Sequence, residues 1–362
     1  MHKVLFVRHG ALGDCLLMTP FLRAYRKHHP QAQIDVYSYV SIFQNYSCVN
    51  RWIDGRKISL NKIKNSYDRI FYFNYEHEPQ LHVLQGYQIS SGLTYDSPQI
   101  ELPDTKPGKW QSTKDKIGGY WFFQPVSGTY LRSLPKAKIQ EFIDAVREAY
   151  PNLAPIVVHN KRLKVQNCVN LTGCRLTSLE IMEIIKGARF FVGVDSGLFH
   201  IAQGASVPAI FIAGPTELRL RVTNPGCVRQ LSVHSLDCLG CYHRNIAPYG
   251  EVYDHCLRGD FACMQSLTAG QLVREINQLI GSTTQQRRKS LRLKQLPYKP
   301  TVAAAYRQLL MKHYKQLRLS WRTLQFAKRI VKKLLSPVVP RWRKTYGQRQ
   351  IQSYLSRRDP VE

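Results

Sequence analysis

A chain of 362 residues is long enough for two cored domains and an extension, and a 44% hydrophobic content excludes a largely disordered protein. The formal net charge is +28 and unevenly placed: residues 281–362 hold 21 Lys and Arg against Asp359 and Glu362, a net of +19, which leaves +9 for residues 1–280. That placement points to an anionic partner near the C-terminus: a lipid surface, nucleic acid or polyphosphate.

The run KVLFV (3–7) reads as a central parallel strand. It is too short for a signal peptide, and Arg8 follows at once. With no run of 18 apolar residues, no transmembrane helix is expected. Nine cysteines without an export signal are expected as reduced thiols in a cytoplasm. Apolar residues then recur at helical spacing from Leu16 to His28, until Pro30. IDVYSYV (34–40) and YDRIFYF (67–73) read as strands, and VLQGYQIS (83–90) fits helix or strand. Residues 97–118 carry three prolines and two glycines and read as a linker region, with the linker proper at 106–118.

A second alternating set follows. YWFFQP (120–125), PIVVHN (155–160), RFFVGVD (189–195) and PAIFIAG (208–214) read as strands. Helices are predicted at 135–150, opened by Pro135, at 178–188 and at 267–280. Strand–helix alternation implies open parallel α/β sheets. The expected organisation is a Rossmann-like domain at 1–105, the linker, a second Rossmann-like domain at 119–280, and a basic helical extension at 281–362. In such sheets ligands lie at the carboxyl ends of strands.

Two strand ends carry chemistry. In VRHGALGD (7–14), Gly10 and Gly13 allow a tight turn near a ligand, and Asp14 falls at a helix N-terminus. The spacing is not that of a dinucleotide fingerprint. Asp14 reads either as a capping residue or as a general base projecting into an interdomain cleft. In FFVGVDSGLFHIAQGASVPAIFIAGPT (190–216), Asp195, Ser196 and Gly197 join a strand to a helix bearing His200. Unpaired N–H groups and the helix dipole make such a turn an anion site. Gly214, Pro215 and Thr216 close the next strand and form an adjacent wall, the whole suited to a diphosphate. His200 alone also reads as a satisfied helix histidine.

These two blocks, in this order and separation, resemble the heptosyltransferases of glycosyltransferase family 9, over about residues 3–280. The resemblance implies the GT-B fold, in which two Rossmann-like domains face across a cleft with nucleotide donor on the second and acceptor on the first. It implies inverting transfer of a sugar, commonly heptose from ADP-heptose, to a lipopolysaccharide core. It places the catalytic base on Asp14, with Arg8, Gly10 and Gly13 in the acceptor-side loop. Donor-phosphate positions fall on Asp195, Ser196, Gly197 and His200, and Asp195, itself an anion, is expected to shape the loop or touch a sugar hydroxyl rather than meet phosphate. They fall also on Ser127, Gly128 and Arg132 of PVSGTYLRSLP, where Arg132 stands for a usual lysine and alternatively reads as a solvated charge. No cofactor is required by this reading.

Cys238, Cys241, Cys256 and Cys263 follow a C-x₂-C-x₁₄-C-x₆-C pattern, which suits a structural zinc, and alternatively unliganded thiols or a redox-dependent pair. The extension mixes its charges with Tyr306, Trp321, Trp342 and Tyr346. With a lipid-anchored acceptor implied, it is expected on the inner face of the cytoplasmic membrane. A basic helix packed on the enzyme and a nucleic-acid contact stand as alternatives. The rival functions are a nucleotide-sugar epimerase or hydrolase on the same frame, and a non-enzymatic basic binding protein.

Overall fold

Two parallel sheets organise the chain in a computed structural model that describes residues 2–76, 78–104, 117–244, 256 and 258–282. Residues 105–116, most of the predicted linker, and 283–362, nearly all of the basic extension, lie outside the described residues. The first lobe runs β1 (Lys3–Val7), α1 (Leu12–Leu16), α2 (Thr19–His28), β2 (Gln33–Ser38), β3 (Arg51–Asp54), α3 (Leu60–Ile63), β4 (Arg69–Tyr72) and α4 (Val83–Ser91). The second runs β5 (Tyr120–Gln124), α5 (Lys136–Ala149), β6 (Ala154–Val157), β7 (Val169–Asn170), α6 (Ser178–Lys186), β8 (Phe191–Val194), α7 (Gly197–Gly204), β9 (Ala209–Ile212), β10 (Val228–Leu231) and α8 (Ala269–Gly281). Among the described residues no helix is long and apolar enough to cross a membrane.

The strand orders are β3-β2-β1-β4 and β10-β9-β8-β5-β6-β7, every pairing parallel. The second sheet, counted from its own first strand, reads 3-2-1-4-5-6, the doubly wound order, and the first sheet repeats its opening 3-2-1-4. The direction in which successive strands are added reverses between β1 and β4 in one sheet and between β5 and β8 in the other. The loops leaving those four strands therefore border two crevices.

Burial explains the strands. Val4, Phe6, Trp121, Phe122, Phe123, Phe191 and Val192 are wholly buried, and each such large side chain contributes about 1.5–3 kcal/mol. One apolar cluster includes Phe6, Phe21 and Phe73 of the first lobe and Phe191, Phe199 and Phe211 of the second.

The predicted helix over 16–28 is instead two helices. Pro20 has no N–H to give the Leu16 carbonyl, and the Thr19 hydroxyl donates to that carbonyl at 2.8 Å. The ambiguous 83–90 segment is helix, begun by His82 Nδ1 accepting from the Leu84 N–H at 3.2 Å and ended by Gly92 at φ 71°. Strands β3, β7 and β10 were not anticipated. All three are short, and β7 and β10 lie with β3 at sheet edges, where the hydrophobic pattern is weakest.

Candidate active site

At the first crevice, Arg8 leaves β1 and its guanidinium binds two acids. Nη2 donates to Asp14 Oδ2 at 2.5 Å and to Glu76 Oε1 at 2.6 Å. Nη1 donates to Glu76 Oε2 at 3.1 Å and to the Phe73 carbonyl at 3.0 Å. Burial works against the Arg8 charge, but Tyr87, Asp14 and Glu76 more than restore it, so Arg8 remains a cation. Its guanidinium also lies 5.4 Å from the Tyr75 ring centre and 5.8 Å from that of Tyr87.

Asp14 is in the first turn of α1, and its Oδ2 also accepts from the Ala11 N–H at 2.9 Å. Capping and ion pairing thus coexist on one oxygen. Oδ1 has no hydrogen bond among the described residues, and the side chain keeps 20% of its surface exposed. The Tyr87 hydroxyl donates to the Asp14 carbonyl at 3.0 Å, tying α1 to α4. The carboxylate is held in place with one oxygen unspent, the arrangement a general base needs.

At the second crevice, Asp195 leaves β8 and gathers groups from three loops. Its carbonyl accepts from Ser127 Oγ at 2.9 Å. Its Oδ2 accepts from Arg132 Nη1 and from Thr216 Oγ1, each at 3.1 Å. Arg221 Nε stands 3.6 Å from the same oxygen. Arg132 is therefore not a solvated charge: its side chain is 19% exposed, ion-paired, and 4.8 Å from the Tyr242 ring centre. Burial opposes the charges of Arg132 and Arg221, and Asp195 leads the groups that outweigh it. Asp195 thus organises the loops through their cations.

Ser196 is the N-cap of α7, yet its side chain makes no capping bond. Its Oγ is buried and has no hydrogen-bond partner among the described residues. A hydroxyl left unsatisfied at a helix N-terminus is a donor awaiting an anion. His200, in the first turn of α7, is buried, and burial lowers its pKa to about 4. The imidazole is therefore neutral near pH 7. Gln203 Oε1 accepts from the Thr223 N–H at 2.7 Å, which orients its amide so that Nε2 faces His200 Nδ1 at 3.4 Å. That contact makes Nδ1 the acceptor and leaves the proton on Nε2, a neutral donor.

The lobes meet at α1 and α7. A Cβ on Gly13 would lie 2.7 Å from His200 Cδ2 and 3.0 Å from Gly197 Cα. A Cβ on Gly197 would lie 2.9 Å from the Gly13 nitrogen and 3.1 Å from Leu12 Cβ. Two glycines thus bring the Asp14 turn against the Ser196 turn. Two further contacts cross here: His82 Nε2 lies 2.9 Å from the Val222 carbonyl, and the Arg221 guanidinium lies 5.2 Å from the Tyr75 ring centre.

The remaining predicted positions separate. A Cβ on Gly10 or Gly128 would meet nothing within 4 Å, so neither glycine is there for close packing. Thr216 turns its hydroxyl to Asp195, but Gly214 and Pro215 face elsewhere. Their carbonyls accept from the N–H groups of Gly240 and Tyr242 at 2.8 and 2.9 Å, and Gly214 packs against Cys263.

Cys238, Cys241, Cys256 and Cys263 line one small cavity with Leu131, Arg258, Asp260 and Ala262. Burial first, then the neighbouring thiols, pushes Cys241 up to about 11 and Cys263 to about 12. Four thiols on one cavity form a thiophilic donor set. Among the described residues, however, no three His, Cys, Asp or Glu side chains are arranged to hold a metal ion.

Glu76, Tyr75, His82, Gln203 and Arg221 were not singled out from the sequence. Tyr75 and Glu76 follow the predicted strand 67–73, so the rule of strand carboxyl ends pointed to them. Arg221 sits in ELRLRV beside a second arginine, Arg219, with no spacing to distinguish it.

No curated protein matches the chain. Residues 152–239 match the family model described as glycosyltransferase family 9 (heptosyltransferase). Among solved structures, the chain is similar to the iron-containing dodecameric glycosyltransferase TibC of enterotoxigenic E. coli H10407, at 15% identity, 77% coverage of this chain, 76% of that chain and TM-score 0.59. It is similar to E. coli ADP-heptose lps heptosyltransferase II at 14% identity, 77% and 98% coverage and TM-score 0.53. A glycosyl transferase family 9 protein of Veillonella parvula DSM 2008 aligns at 12% identity, 77% and 97% coverage and TM-score 0.55. At these identities the structures speak for the fold, which is the two-lobed α/β fold described above. The matched residues 152–239 carry Asp195, Ser196, His200, Thr216 and Arg221, so the likeness to glycosyltransferase family 9 (heptosyltransferase) falls on the second crevice.

Proposed function

We propose that the chain is an inverting glycosyltransferase that moves a sugar, heptose in the first instance, from a nucleoside-diphosphate sugar such as ADP-heptose to a hydroxyl of a lipopolysaccharide-core or related glycan. The observation that carries this reading is the meeting of Asp14, one carboxylate oxygen unspent, with the α7 N-terminus, where Ser196 Oγ lacks a partner. TibC, one of the structural neighbours, is described in complex with ADP-D-beta-D-heptose, which supports the donor class.

In this mechanism the acceptor oxygen bonds to the anomeric carbon as the bond from that carbon to the phosphate oxygen breaks. The acceptor proton passes to Asp14 Oδ1, and the bonding pair leaves with the nucleoside diphosphate. Ser196 Oγ, His200 Nε2–H, the α7 amides and Arg132 meet the growing charge, the kind of fixed dipole and charge that acts most strongly in a site shielded from water. Charge is divided to suit. On the acceptor side Arg8 faces two carboxylates, a surplus of negative charge beside the proton's destination. On the donor side two guanidiniums face Asp195, a surplus of positive charge where phosphate would lie.

The test is stabilisation of the full chain by ADP, UDP, GDP and their sugars, followed by product analysis with and without a glycan acceptor. A ligand that binds only the folded state raises its melting temperature. The expected result is stabilisation by at least one nucleoside diphosphate and turnover only with acceptor. Sugar release without acceptor would make the protein a hydrolase, and an isomerised nucleotide-sugar an epimerase.

We also propose that the +19 extension (residues 281–362) holds the enzyme on an anionic membrane surface on its cytoplasmic side, near a lipid-anchored acceptor. Each Lys or Arg close to such a surface contributes about 1 kcal/mol, weakened by salt. The full chain should sediment with phosphatidylglycerol vesicles and be released as salt rises. Equal binding to phosphatidylcholine vesicles would dismiss an electrostatic anchor.

A further inference from the structure

Arg221 is a buried cation that the chain takes trouble to position. It lies in the loop between β9 and β10, with its side chain 5% exposed. Gln203, wholly buried on α7, pins this loop from beneath. Its Nε2 donates to the Arg221 carbonyl at 3.2 Å, and its Oε1 accepts from the N–H groups of Thr223 and Asn224 at 2.7 and 3.2 Å. The guanidinium is consequently held beside the same Asp195 oxygen that Arg132 engages.

Its hydrogen bonding is incomplete. Nε is 3.6 Å from Asp195 Oδ2, beyond hydrogen-bond length, and Nη1 donates at 3.3 Å to the neighbouring Leu220 carbonyl. Among the described residues Nη2 makes no hydrogen bond. The shared acid is already engaged by Arg132 Nη1 and Thr216 Oγ1 at 3.1 Å each. Two guanidiniums therefore depend on one carboxylate. A buried cation in surplus is costly unless an anion joins it. Tyr75 covers the guanidinium from the other lobe. Burial, then Asp14, pushes its phenol up, so the ring stays neutral and presents its face to the cation.

We propose that Arg221 binds the donor diphosphate, forming with Arg132 a two-guanidinium clamp that shares Asp195. The inference rests on the proposed glycosyl-transfer reading and adds to it a residue that neither strand-end motif contains. Asp195 acts as a positioning residue: it holds both cations in register, and the phosphate oxygens complete the donors that it leaves unused. Guanidinium suits this task because its planar fork gives two parallel bonds to adjacent oxygens. Because Tyr75 comes from the acceptor lobe, the clamp is also the point at which that lobe touches the donor-side charge.

The experiment is calorimetric titration of full-length wild type, Arg221→Gln and Arg221→Lys with ADP, UDP and GDP, each beside its nucleoside. The reading is the ratio of diphosphate to nucleoside affinity. The expected result is a ratio about 10- to 100-fold lower in Arg221→Gln, the size of a lost charge-assisted contact. Nucleoside affinity should be unchanged, and Arg221→Lys should fall between. If Arg221→Gln does not fold, Arg221→Lys, which keeps charge and stem, carries the test through its own lowered ratio. A purely structural role would weaken nucleoside and diphosphate alike and leave the ratio constant, which overturns the inference. Wild type that binds none of the three diphosphates overturns the glycosyl-transfer reading itself, and the clamp with it.

Discussion

Asp14→Asn lowers sugar transfer by about 10²–10⁴-fold, the usual contribution of a positioned base, while nucleoside diphosphates still bind. The two outcomes separate because Asp14 belongs to the first lobe and the phosphate donors to the second. The substitution is also gentle on the fold. An asparagine carbonyl still accepts the Ala11 N–H that Asp14 now takes at 2.9 Å. Arg8 keeps both Glu76 oxygens and the Phe73 carbonyl, so no buried cation is abandoned. What disappears is the unspent oxygen and its capacity to take a proton. Transfer rates and nucleotide affinity measured on the same preparation decide the matter. Undiminished transfer would falsify the role of Asp14, and loss of nucleotide binding would mark the residue as structural.

Gly13→Ala is expected to cost about 10²-fold in kcat/KM, the penalty for displacing reacting groups by about an ångström. The added methyl would lie 2.7 Å from His200 Cδ2 and 3.0 Å from Gly197 Cα. His200 is buried, with Gln203 against its ring, and Gly197 offers backbone, so neither neighbour yields easily. The strain is relieved by parting α1 from α7, which draws Asp14 away from the Ser196 turn. Gly270→Ala is the control. It lies in α8, where a Cβ meets only Arg274 Nη1 at 4.0 Å, so alanine should raise the melting temperature slightly and leave transfer unchanged. If Gly13→Ala and Gly270→Ala have equal kcat/KM, close apposition of the two turns has no part in the reaction.

Much of the frame is legible in the residues. KVLFV, YWFFQ and FFVGV are short apolar runs that can only be buried, and each is followed by a turn rich in glycine or serine. The two acids are visible for related reasons: Asp195 directly follows a buried strand, and Asp14 opens the helix after the glycine turn that leaves one. Pro20 was legible as well, but its effect required knowing that Thr19 would take over the orphaned carbonyl. The short edge strands escaped because four residues paired on one side carry too little pattern.

The site's electrostatics were a different matter. Arg8 and Glu76 are 68 positions apart, Arg132 and Asp195 are 63 apart, and Gly13 and Gly197 are 184 apart by their numbers. Nothing in local spacing distinguishes Arg221 from Arg219, yet one is buried against Asp195 and the other pairs with Glu217 at half exposure. The sequence alone thus determined the order of the central strands and the longer helices, the strand-end turns, and the basic charge of residues 281–362. Those properties arise from neighbours along the chain, through backbone preference and hydrophobic period. Which acid neutralises which arginine, and which two glycines touch, was decided only when parallel strands crossed over in the order β3-β2-β1-β4 and β10-β9-β8-β5-β6-β7. Charge pairing and close packing depend on distance through space, and that distance exists only in the folded chain.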